Sequence, residues 1–296
     1  MKQYNDLVLD VLENGSFKPN ARTGKGTLSV FGRQVRFNLQ KELPLVTSKF
    51  TNWQNAYYEL LWYLKGTGDI SFLKEQGVNI WDDWVIPGTT NLGPVYGKQW
   101  RKWEKHRVLS HEDYIVNSPE RGDKRNGKTF YNAKVTVEEI DQVKQLIDKI
   151  KNDPSDRRMI VNAWNVSDLE DMQLPPCHMT WQCNVVNGKL NMHLLQRSVD
   201  VPIGLPWNWI CYSMLTHMIA HVTGLEVGEF VWTGVDVHIY EDQIEKMKEM
   251  LHRPLIENTS VLKINRKVED IDDFNVNDIS VENYNYHKFM KIPVAV

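Results

Sequence analysis

The chain has 296 residues, with 35 Lys and Arg against 38 Asp and Glu, so its formal net charge is −3. A content of 42% hydrophobic and 25% charged residues excludes a mainly disordered chain. The near-neutral charge argues against an obligatory nucleic-acid partner, because binding to a phosphate backbone needs an excess of Lys and Arg, but a small anionic substrate remains compatible with it.

Apolar runs and cysteines indicate the compartment. No apolar run approaches the roughly 18 residues that cross a bilayer, and the polar N-terminus is unlike a signal peptide. The three cysteines, Cys177, Cys183 and Cys211, form neither a disulfide framework nor a Cys-x-x-Cys knuckle. We therefore expect a cytoplasmic protein with no membrane partner and no metal, in which each cysteine is a buried hydrophobe or a reactive thiol.

Aromatic residues are numerous, with eleven Trp and eleven Tyr. A large core built with aromatic side chains is the favoured interpretation. The alternative is a pocket for flat ligands, walled by indole and phenol rings.

The first third of the chain predicts helices and strands. Residues 4–14 have the apolar spacing of a short amphipathic helix that Gly15 ends. Residues 27–38 alternate as two strands around a turn would. Residues 53–65 predict a helix that is buried on most sides although it contains one acid, Glu59.

A charged segment follows a loop predicted at residues 88–99. Residues 101–135 contain fourteen charged residues, which predicts a mobile surface insertion at about 104–135. Thr136 and Glu139 fit a capping box, so a helix is predicted to begin there and to run to an Asp-Pro pair.

The second half carries a strong hairpin signal, Asn187-Gly188, between two apolar runs. Strands and helices do not alternate regularly enough for a parallel doubly wound sheet, so the predicted fold class is α+β. The predicted elements, in order, are strands at 159–164 and 181–195, a helix at 208–222 that stops near Gly224, a strand at 229–240 and a charged helix at 241–251.

Three motifs are weak. The segment RTGKGT at 22–27 lacks the spacing of a phosphate-binding P-loop. His217 and His221 lie four residues apart on a predicted helix but lack the Glu of a zinc-protease motif, so we interpret them as packed histidines. The basic stretch 98–107 is interpreted as a solvated loop.

A more specific signal is the cysteine in the segment LPPCH, residues 174–178. Two prolines before Cys177 restrict its backbone, which would help to place a nucleophile. The segment QRSVD follows at 196–200, and a hairpin could bring Arg197 beside the thiol and lower its pKa. By itself, one cysteine with one arginine is weak evidence.

These two segments belong to a longer ordered series. The motifs, as they stand in this chain, are RTGKGTLSVFG, ELLWYL, NIWDDW, GPVYGKQW, DPSDRRMIVNAWN, LPPCH, QRSVD, GLPWN, VWTGVDVHIY and the terminal PVAV. Together they resemble thymidylate synthase of the folate-dependent class from Met1 to Val296, with an interruption mainly near 104–135. The resemblance implies one domain over residues 1–296, a mixed β-sheet packed by helices, and a homodimer formed through one sheet face.

The resemblance also implies an activity and a covalent mechanism. Members of this family convert dUMP and 5,10-methylenetetrahydrofolate into dTMP and dihydrofolate, and a thiolate adds to C6 of the uracil ring. Asn208 is similar to the asparagine that pairs with N3–H and O4, where aspartate would suit cytosine. The implied catalytic residues are Cys177, Glu59, Tyr96, His178, Arg197 and Asn208.

Ligand-binding residues are implied in the same way. The phosphate would be held by Arg22, Arg197 and Ser198, and by Arg157 and Arg158 reaching across a homodimer interface. The remaining implied substrate residues are Asp200 and Asn208, with His238 and Tyr240 at the deoxyribose 3′-hydroxyl. The implied folate residues are Ile80, Trp81, Asp200, Ile203, Gly204, Trp207, Val294 and Ala295, the last two in a terminal lid.

Departures from the family pattern lie on the folate side. Phe50-Thr51-Asn52 follows Lys49 where arginine and histidine are common, and Trp207 takes the place of the usual phenylalanine. Such changes matter because water can replace hydride in the last step. The product is then 5-hydroxymethyl-dUMP, as in the deoxypyrimidine hydroxymethyltransferases of some phages, and this is the alternative activity.

Overall fold

A computed structural model describes residues 1–20, 23–108, 123–125, 128–130 and 135–294. Arg22, Ala295 and most of the insertion predicted at about 104–135 lie outside the described residues. The helices are α1 Lys2–Asn14, α2 Trp53–Leu64, α3 Ser71–Glu75, α4 Tyr96–Arg101, α5 Gln142–Asn152, α6 Gly204–Thr223 and α7 Ile244–Leu251.

The strands supply one large sheet and three two-stranded pairs among the described residues. Short 3-10 turns lie at Asp82–Trp84, Leu169–Asp171, Glu241–Gln243 and Ile271–Asp273. The strands are β1 Ser16–Lys18, β2 Thr27–Asn38, β3 Trp103–Val108, β4 Asp123–Arg125, β5 Lys128–Phe130, β6 Val135–Ile140, β7 Ile160–Asn162, β8 His178–Val186, β9 Lys189–Asp200, β10 Glu226–Tyr240, β11 Val261–Ile264 and β12 Ile279–Glu282.

The large sheet is mixed, with the strand order β1-β2-β10-β9-β8-β7. Its neighbours pair antiparallel except for β10 and β9, which run parallel and are joined through the long helix α6. Helices pack on this sheet without regular β-α alternation, which confirms the predicted α+β class. The Asn187-Gly188 hairpin is also confirmed, since φ is 52° and 72° at its two residues, as a two-residue turn of this kind requires.

The core is rich in aromatic rings. Trp62, Trp100, Trp181, Trp209 and Trp232 are fully buried, which confirms the aromatic-core interpretation. Helix α6 is buried over most of its circumference and packs against α2 and the sheet. It ends at Gly224 as predicted, with the left-handed φ of 70° that favours glycine.

Helix α6 starts four residues earlier than predicted. Its first turn contains Pro206, which the first turn of a helix tolerates because the N–H of that position has no intrahelical partner. Two sequence motifs, GLPWN and the long apolar run, therefore form one continuous helix that carries Trp207 and Asn208 at its beginning.

Three predicted elements need correction. Residues 27–38 form the single strand β2, because Gly32 adopts φ 71° within the strand and absorbs the predicted turn. The predicted loop 88–99 gives way to helix α4 at Tyr96. The predicted capping box at Thr136 is wrong, because this residue lies in β6 and pairs with Arg107 of β3.

The helix predicted at Thr136 instead begins at Gln142. Asp141 caps it, and the side chain of Asp141 accepts a hydrogen bond from the main-chain N–H of Lys144 at 2.9 Å. Arg101 anchors the same aspartate, and with a side chain only 9% exposed it also contacts Asp272. The interpretation of 98–107 as a solvated loop is therefore wrong, since this stretch contributes to α4 and β3.

The two histidines of α6 are packed side chains, as predicted. His221 accepts a hydrogen bond at Nε2 from the main-chain N–H of Val268 at 3.1 Å, and His217 is partly buried, with its Nε2 atom enclosed. Among the described residues, no group of three or more His, Cys, Asp and Glu side chains could hold a metal ion. Nor does any helix within these ranges combine the length and apolar character needed to cross a membrane.

Candidate active site

A cleft of about 320 Å³ lies between the sheet and helices α2 and α6. It collects side chains from widely separated segments, because β9, β10, α6 and the segment before β8 converge there. Most of the site residues predicted from the sequence line it. The lining residues are Glu59, Tyr63, Ile80, Trp81, Trp84, Tyr96, Leu174, Cys177, His178, Gln196, Ser198, Asp200, Ile203, Gly204, Trp207, Asn208, His238 and Tyr240.

Cys177 is held by its backbone at the wall of the cleft. Its main-chain N–H donates to the Tyr96 hydroxyl at 2.9 Å, and its carbonyl accepts from the main-chain N–H of Arg197 at 2.8 Å. Cys177 is half-buried, whereas Cys183 and Cys211 are buried. Burial raises the pKa of both buried thiols, so the cysteine in the cleft is the one placed for thiolate chemistry.

Arg197 reinforces this segment with its side chain. The guanidinium donates from Nε to the carbonyl of Pro176 at 2.9 Å and from Nη2 to that of Pro175 at 2.8 Å. It also lies over the ring of Trp164, 5.1 Å from the ring centroid. The predicted proximity of Arg197 and Cys177 is therefore present. The arginine restrains the backbone just before β8 and places a cation beside it.

Glu59 is the buried acid of the cleft. One carboxylate oxygen, Oε1, accepts from Nε1 of Trp81 at 2.7 Å, and the other, Oε2, accepts from Nε1 of Trp207 at 2.7 Å. Burial raises the pKa of Glu59 from 4.5 to about 7, although the two indole hydrogen bonds and the nearby Tyr63 hydroxyl oppose that rise. Near neutral pH the carboxyl group is thus poised to gain or lose a proton.

Tyr96 and His178 form a stacked pair below the cysteine. Their ring centroids are 4.1 Å apart with an interplanar angle of 19°. Nδ1 of His178 makes a 2.6 Å hydrogen bond with the hydroxyl of Tyr212. Burial and then the charge of Arg197 lower the pKa of His178 to about 3, so the imidazole is neutral at physiological pH.

Asn208 is oriented by a chain of amide and indole groups. Nε2 of Gln196 donates to Oδ1 of Asn208 at 2.9 Å, and Oε1 of Gln196 accepts from Nε1 of Trp232 at 3.0 Å. All three side chains are almost fully buried. The asparagine therefore presents one defined amide edge to the cleft.

The end of the cleft that contains Asp200 and His238 is lined by polar side chains. Asp200 accepts at Oδ1 from the main-chain N–H of Ile203 at 3.1 Å, which ties it to the start of α6. Burial raises the pKa of Asp200, and burial lowers the pKa of the nearby Lys49 to about 8. Nδ1 of His238 contacts Oδ1 of Asp236 at 3.3 Å, and the His238 and Tyr240 rings meet edge to face.

The C-terminal segment is attached to this end by one fully buried side chain. Gln243 donates from Nε2 to the carbonyl of Pro293 at 2.9 Å and accepts at Oε1 from the main-chain N–H of Tyr240 at 3.1 Å. Val294, the next residue after the anchored proline, is 59% exposed. The terminal segment is thus held at Pro293, beside the cleft, and its role as a lid stays a prediction.

Several predicted site residues lie elsewhere. Arg157 is exposed, and its carbonyl accepts from Gln182 at 3.1 Å. The Arg158 side chain is 83% exposed and pairs with Asp156. Neither arginine lines the cleft of its own chain. Arg22 and Ala295 lie outside the described residues, so their predicted contacts stay predictions.

Sequence reasoning missed some residues that contribute to the cleft. Tyr63, Trp84 and Leu174 line it, and Gln196 orients Asn208. Gln196 could have been suspected because it opens the QRSVD motif, and Tyr63 because it follows Glu59 by one helical turn. The contact of Gln243 with the C-terminal segment had no such signal, because Pro293 meets this side chain only in the folded chain.

A comparison with models of known protein families adds one finding. The family described as "Thymidylate synthase" matches residues 2–296, which is essentially the whole chain.

Proposed function

This chain belongs to the thymidylate synthase family, and from that premise we propose that it catalyses the reductive methylation of dUMP to dTMP. The family match supports an activity of the dUMP-methylating or dUMP-hydroxymethylating type, with methylenetetrahydrofolate as the co-substrate. The observation that carries the proposal is the convergence of Cys177, Glu59 and Asn208 on one cleft.

In the proposed reaction, Cys177 is the nucleophile. Its sulfur forms a bond to C6 of the uracil ring, and the electron pair of the C5–C6 double bond moves through C5 towards O4 as an enolate. The carbon C5 thereby becomes nucleophilic. The half-buried position of Cys177 and its fixed backbone support this role, because a nucleophile must be both accessible and oriented.

Asn208 is proposed to read the base. An amide offers one donor and one acceptor, which matches the O4 acceptor and the N3–H donor of uracil. The hydrogen bond from Gln196 supports this assignment, since it holds the amide in one orientation before substrate binds.

Proton transfer is proposed to involve Glu59, Tyr96 and His178. A carboxyl group whose pKa lies near 7 can exchange protons through water with O4 at neutral pH. Tyr96 is proposed to help remove the C5 proton, and its hydroxyl already contacts the backbone of Cys177. Neutral His178, stacked on Tyr96, would hold part of the water network.

The nucleotide phosphate and sugar are proposed to bind at the other side of the cysteine. Arg197 and Ser198 lie on β9 beside it, and Arg22 completes the set within one chain. His238 and Tyr240, at the end of β10, are proposed to bind the 3′-hydroxyl.

Arg157 and Arg158 are proposed to act in a homodimer. Their exposure, and their distance from the cleft lining of their own chain, support a role at the partner's phosphate. The family is generally dimeric. Alternate residues of β9, including His193 and Leu195, stay only partly buried, so one face of the sheet remains for a second copy.

The folate fits the apolar half of the cleft. Flat and branched side chains form walls there, and Asp200 provides a polar contact for pterin nitrogens. The residues proposed to hold the folate are Ile80, Trp81, Asp200, Ile203, Gly204, Trp207, Val294 and Ala295. When bound, methylenetetrahydrofolate supplies the one-carbon unit and then the hydride.

Exclusion of water supports hydride transfer over the water-terminated alternative. Trp81 is 7% exposed, and the segment is anchored at Pro293 beside the cleft. We propose that the terminal residues cover the site when the folate is bound and keep water from the reacting carbon. Water that reaches the reacting carbon before the hydride would give 5-hydroxymethyl-dUMP.

One incubation tests the proposal. The protein is mixed with dUMP and methylenetetrahydrofolate, and both the nucleotide product and the folate product are identified by mass spectrometry. We expect dTMP together with dihydrofolate. 5-Hydroxymethyl-dUMP with tetrahydrofolate would replace the proposal by the hydroxymethyltransferase activity, and turnover of dCMP in preference to dUMP would contradict the role of Asn208.

A further inference from the structure

Both carboxylate oxygens of Glu59 accept a hydrogen bond from an indole N–H group, and the two indoles belong to different elements of the fold. Trp81 precedes the 3-10 turn Asp82–Trp84, and Trp207 lies in the first turn of α6, 148 residues from Glu59 along the chain. Both N–H···O distances are 2.7 Å, which is at the short end for such bonds.

The two indoles differ in their location and burial. Trp81 is buried just before a 3-10 turn, whereas Trp207 lies in the first turn of α6 and is only partly buried. A phenyl ring at that position would supply a similar apolar wall but no hydrogen-bond donor. The second N–H bond to Glu59 is therefore one that the packing of the cleft wall does not by itself require.

The two indole donors restrict both the ionisation and the orientation of the Glu59 carboxyl group. An ionised carboxylate accepts at both oxygens, but in the protonated form one oxygen carries the O–H and is a weaker acceptor for an indole. The pair of bonds, together with the nearby Tyr63 hydroxyl, favours the charged form and opposes the burial that favours the neutral form. The other titratable groups that face Glu59 are Tyr96, Tyr212 and Cys211, and burial raises the pKa of each, as it does that of Tyr63, so that all four stay neutral near pH 7. It also fixes the direction of the carboxylate plane, since Trp81 and Trp207 approach from separate parts of the fold.

We propose that Trp207 is a positioning residue that sets the orientation and the ionisation of Glu59 through its indole N–H. The proposal rests on the proposed function in so far as Glu59 takes part in proton transfer. Trp207 also walls the cleft, so the test must separate its N–H from its ring.

The variant Trp207→Phe removes the N–H and keeps an aromatic ring. The readout is the pH dependence of tritium release from [5-³H]dUMP in the presence of the folate, and the relevant inflection is the one that Glu59→Gln abolishes. We expect Trp207→Phe to move that inflection to higher pH by roughly one to two units, because one hydrogen bond to the charged form is lost. kcat should fall while KM for dUMP stays within about twofold.

Trp84→Phe is the matched control. Trp84 lines the same cleft, but the two oxygens of Glu59 are bonded to Trp81 and Trp207. The same substitution there should leave the inflection in place. An inflection that is unchanged in Trp207→Phe, or that moves equally in both variants, would overturn the proposal. If Trp207→Phe does not fold, Trp207→Leu keeps an apolar side chain without a donor and is read in the same way.

A second measurement is independent of activity. Glutamine at position 59 has a single acceptor oxygen, so its NH₂ group must face one of the two indole N–H groups. Urea unfolding at pH 8 should therefore show that Glu59→Gln costs less stability in the Trp207→Phe background than in the wild type. Additive effects would overturn the proposal. If wild-type protein forms no adduct with 5-fluoro-dUMP, the proposed function fails, whereas this coupling can still be measured.

Discussion

The side-chain amide of Gln196 donates from Nε2 to Oδ1 of Asn208 over 2.9 Å. The direction of this bond follows from its neighbour, because the indole of Trp232 can only donate and must face Oε1 of Gln196. The NH₂ group of Gln196 then faces Asn208, whose own oxygen turns towards it. A donor-only indole in the core thus determines which edge of Asn208 faces a ligand.

Asn208→Asp should change the preferred base. Aspartate keeps an acceptor for Gln196 but replaces the Nδ2 donor by an acceptor, which suits the amino group of cytosine and repels O4 of uracil. We expect kcat/KM for dUMP to fall by roughly 100-fold, because the hydrogen bond to O4 is replaced by a repulsion between two acceptor oxygens, while dCMP becomes the better substrate. Continued preference for dUMP in a competition assay would contradict the proposed reading of the base.

Cys177→Ala should abolish covalent trapping. With 5-fluoro-dUMP and methylenetetrahydrofolate, the fluorine at C5 blocks the step that normally removes a proton, so the wild type should accumulate a covalent complex. We expect no such complex in Cys177→Ala by denaturing mass spectrometry. Cys183→Ala is the matched control and should still form it, because that thiol is buried and its pKa is raised. A peptide adduct at any residue other than Cys177 would refute the nucleophile assignment.

Ionisation of Glu59 should destabilise the fold. Its pKa is raised from 4.5 to about 7, so between these values the folded state binds a proton that the unfolded state has lost. The contribution of this group to stability therefore falls as the pH rises, by up to roughly 3 kcal/mol between pH 4 and 8.

The measurement is the free energy of unfolding in urea across that pH range, for wild type and Glu59→Gln. The amide of glutamine shifts the stability by a constant amount, since it does not titrate, so the difference in slope isolates the carboxyl group. Parallel pH dependences in the two proteins would show that Glu59 titrates near its ordinary pKa.

Gln243→Glu should loosen the C-terminal segment. A carboxylate keeps the acceptor for the main-chain N–H of Tyr240, but it presents an oxygen instead of a donor to the carbonyl of Pro293 and to Oδ2 of Asp200, which lies 3.5 Å from Nε2 of Gln243. We expect KM for the folate to rise roughly tenfold, with a smaller effect on KM for dUMP, because the segment is proposed to cover the folate. Equal effects on both constants would place the role of Gln243 in general stability instead.

Mixed dimers should test the exchange of arginines across the interface. Cys177→Ala and Arg158→Ala are each expected to be nearly inactive. When they are unfolded together and refolded, a hybrid dimer has one site with an intact cysteine and an intact partner arginine. Random pairing should restore about a quarter of wild-type activity, and no recovery would argue that Arg158 does not act in the partner's site.

Local backbone conformation could be predicted from the sequence wherever one or two residues determine it. Asn187-Gly188 makes a two-residue turn because both residues tolerate positive φ, and Gly224 ends α6 for the same reason. Capping was less predictable, because Thr136 fits a capping box in the sequence whereas Asp141 caps the helix in the structure. Only the pairing of β6 with β3 decides between them.

The ordered motifs were sufficient to indicate the family, the α+β class and most of the residues that line the cleft. This is because the type of each side chain and its spacing from the next motif are properties of the sequence. The hydrogen-bond partners of those side chains could not be predicted from the sequence, because long stretches of chain separate Glu59 from Trp207 and Gln243 from Pro293. Hydrogen-bond direction and burial arise only when such distant segments pack together. The tertiary structure therefore decides the pKa of Glu59 and the orientation of Asn208, whereas the sequence alone determines which groups are available to titrate or to bind.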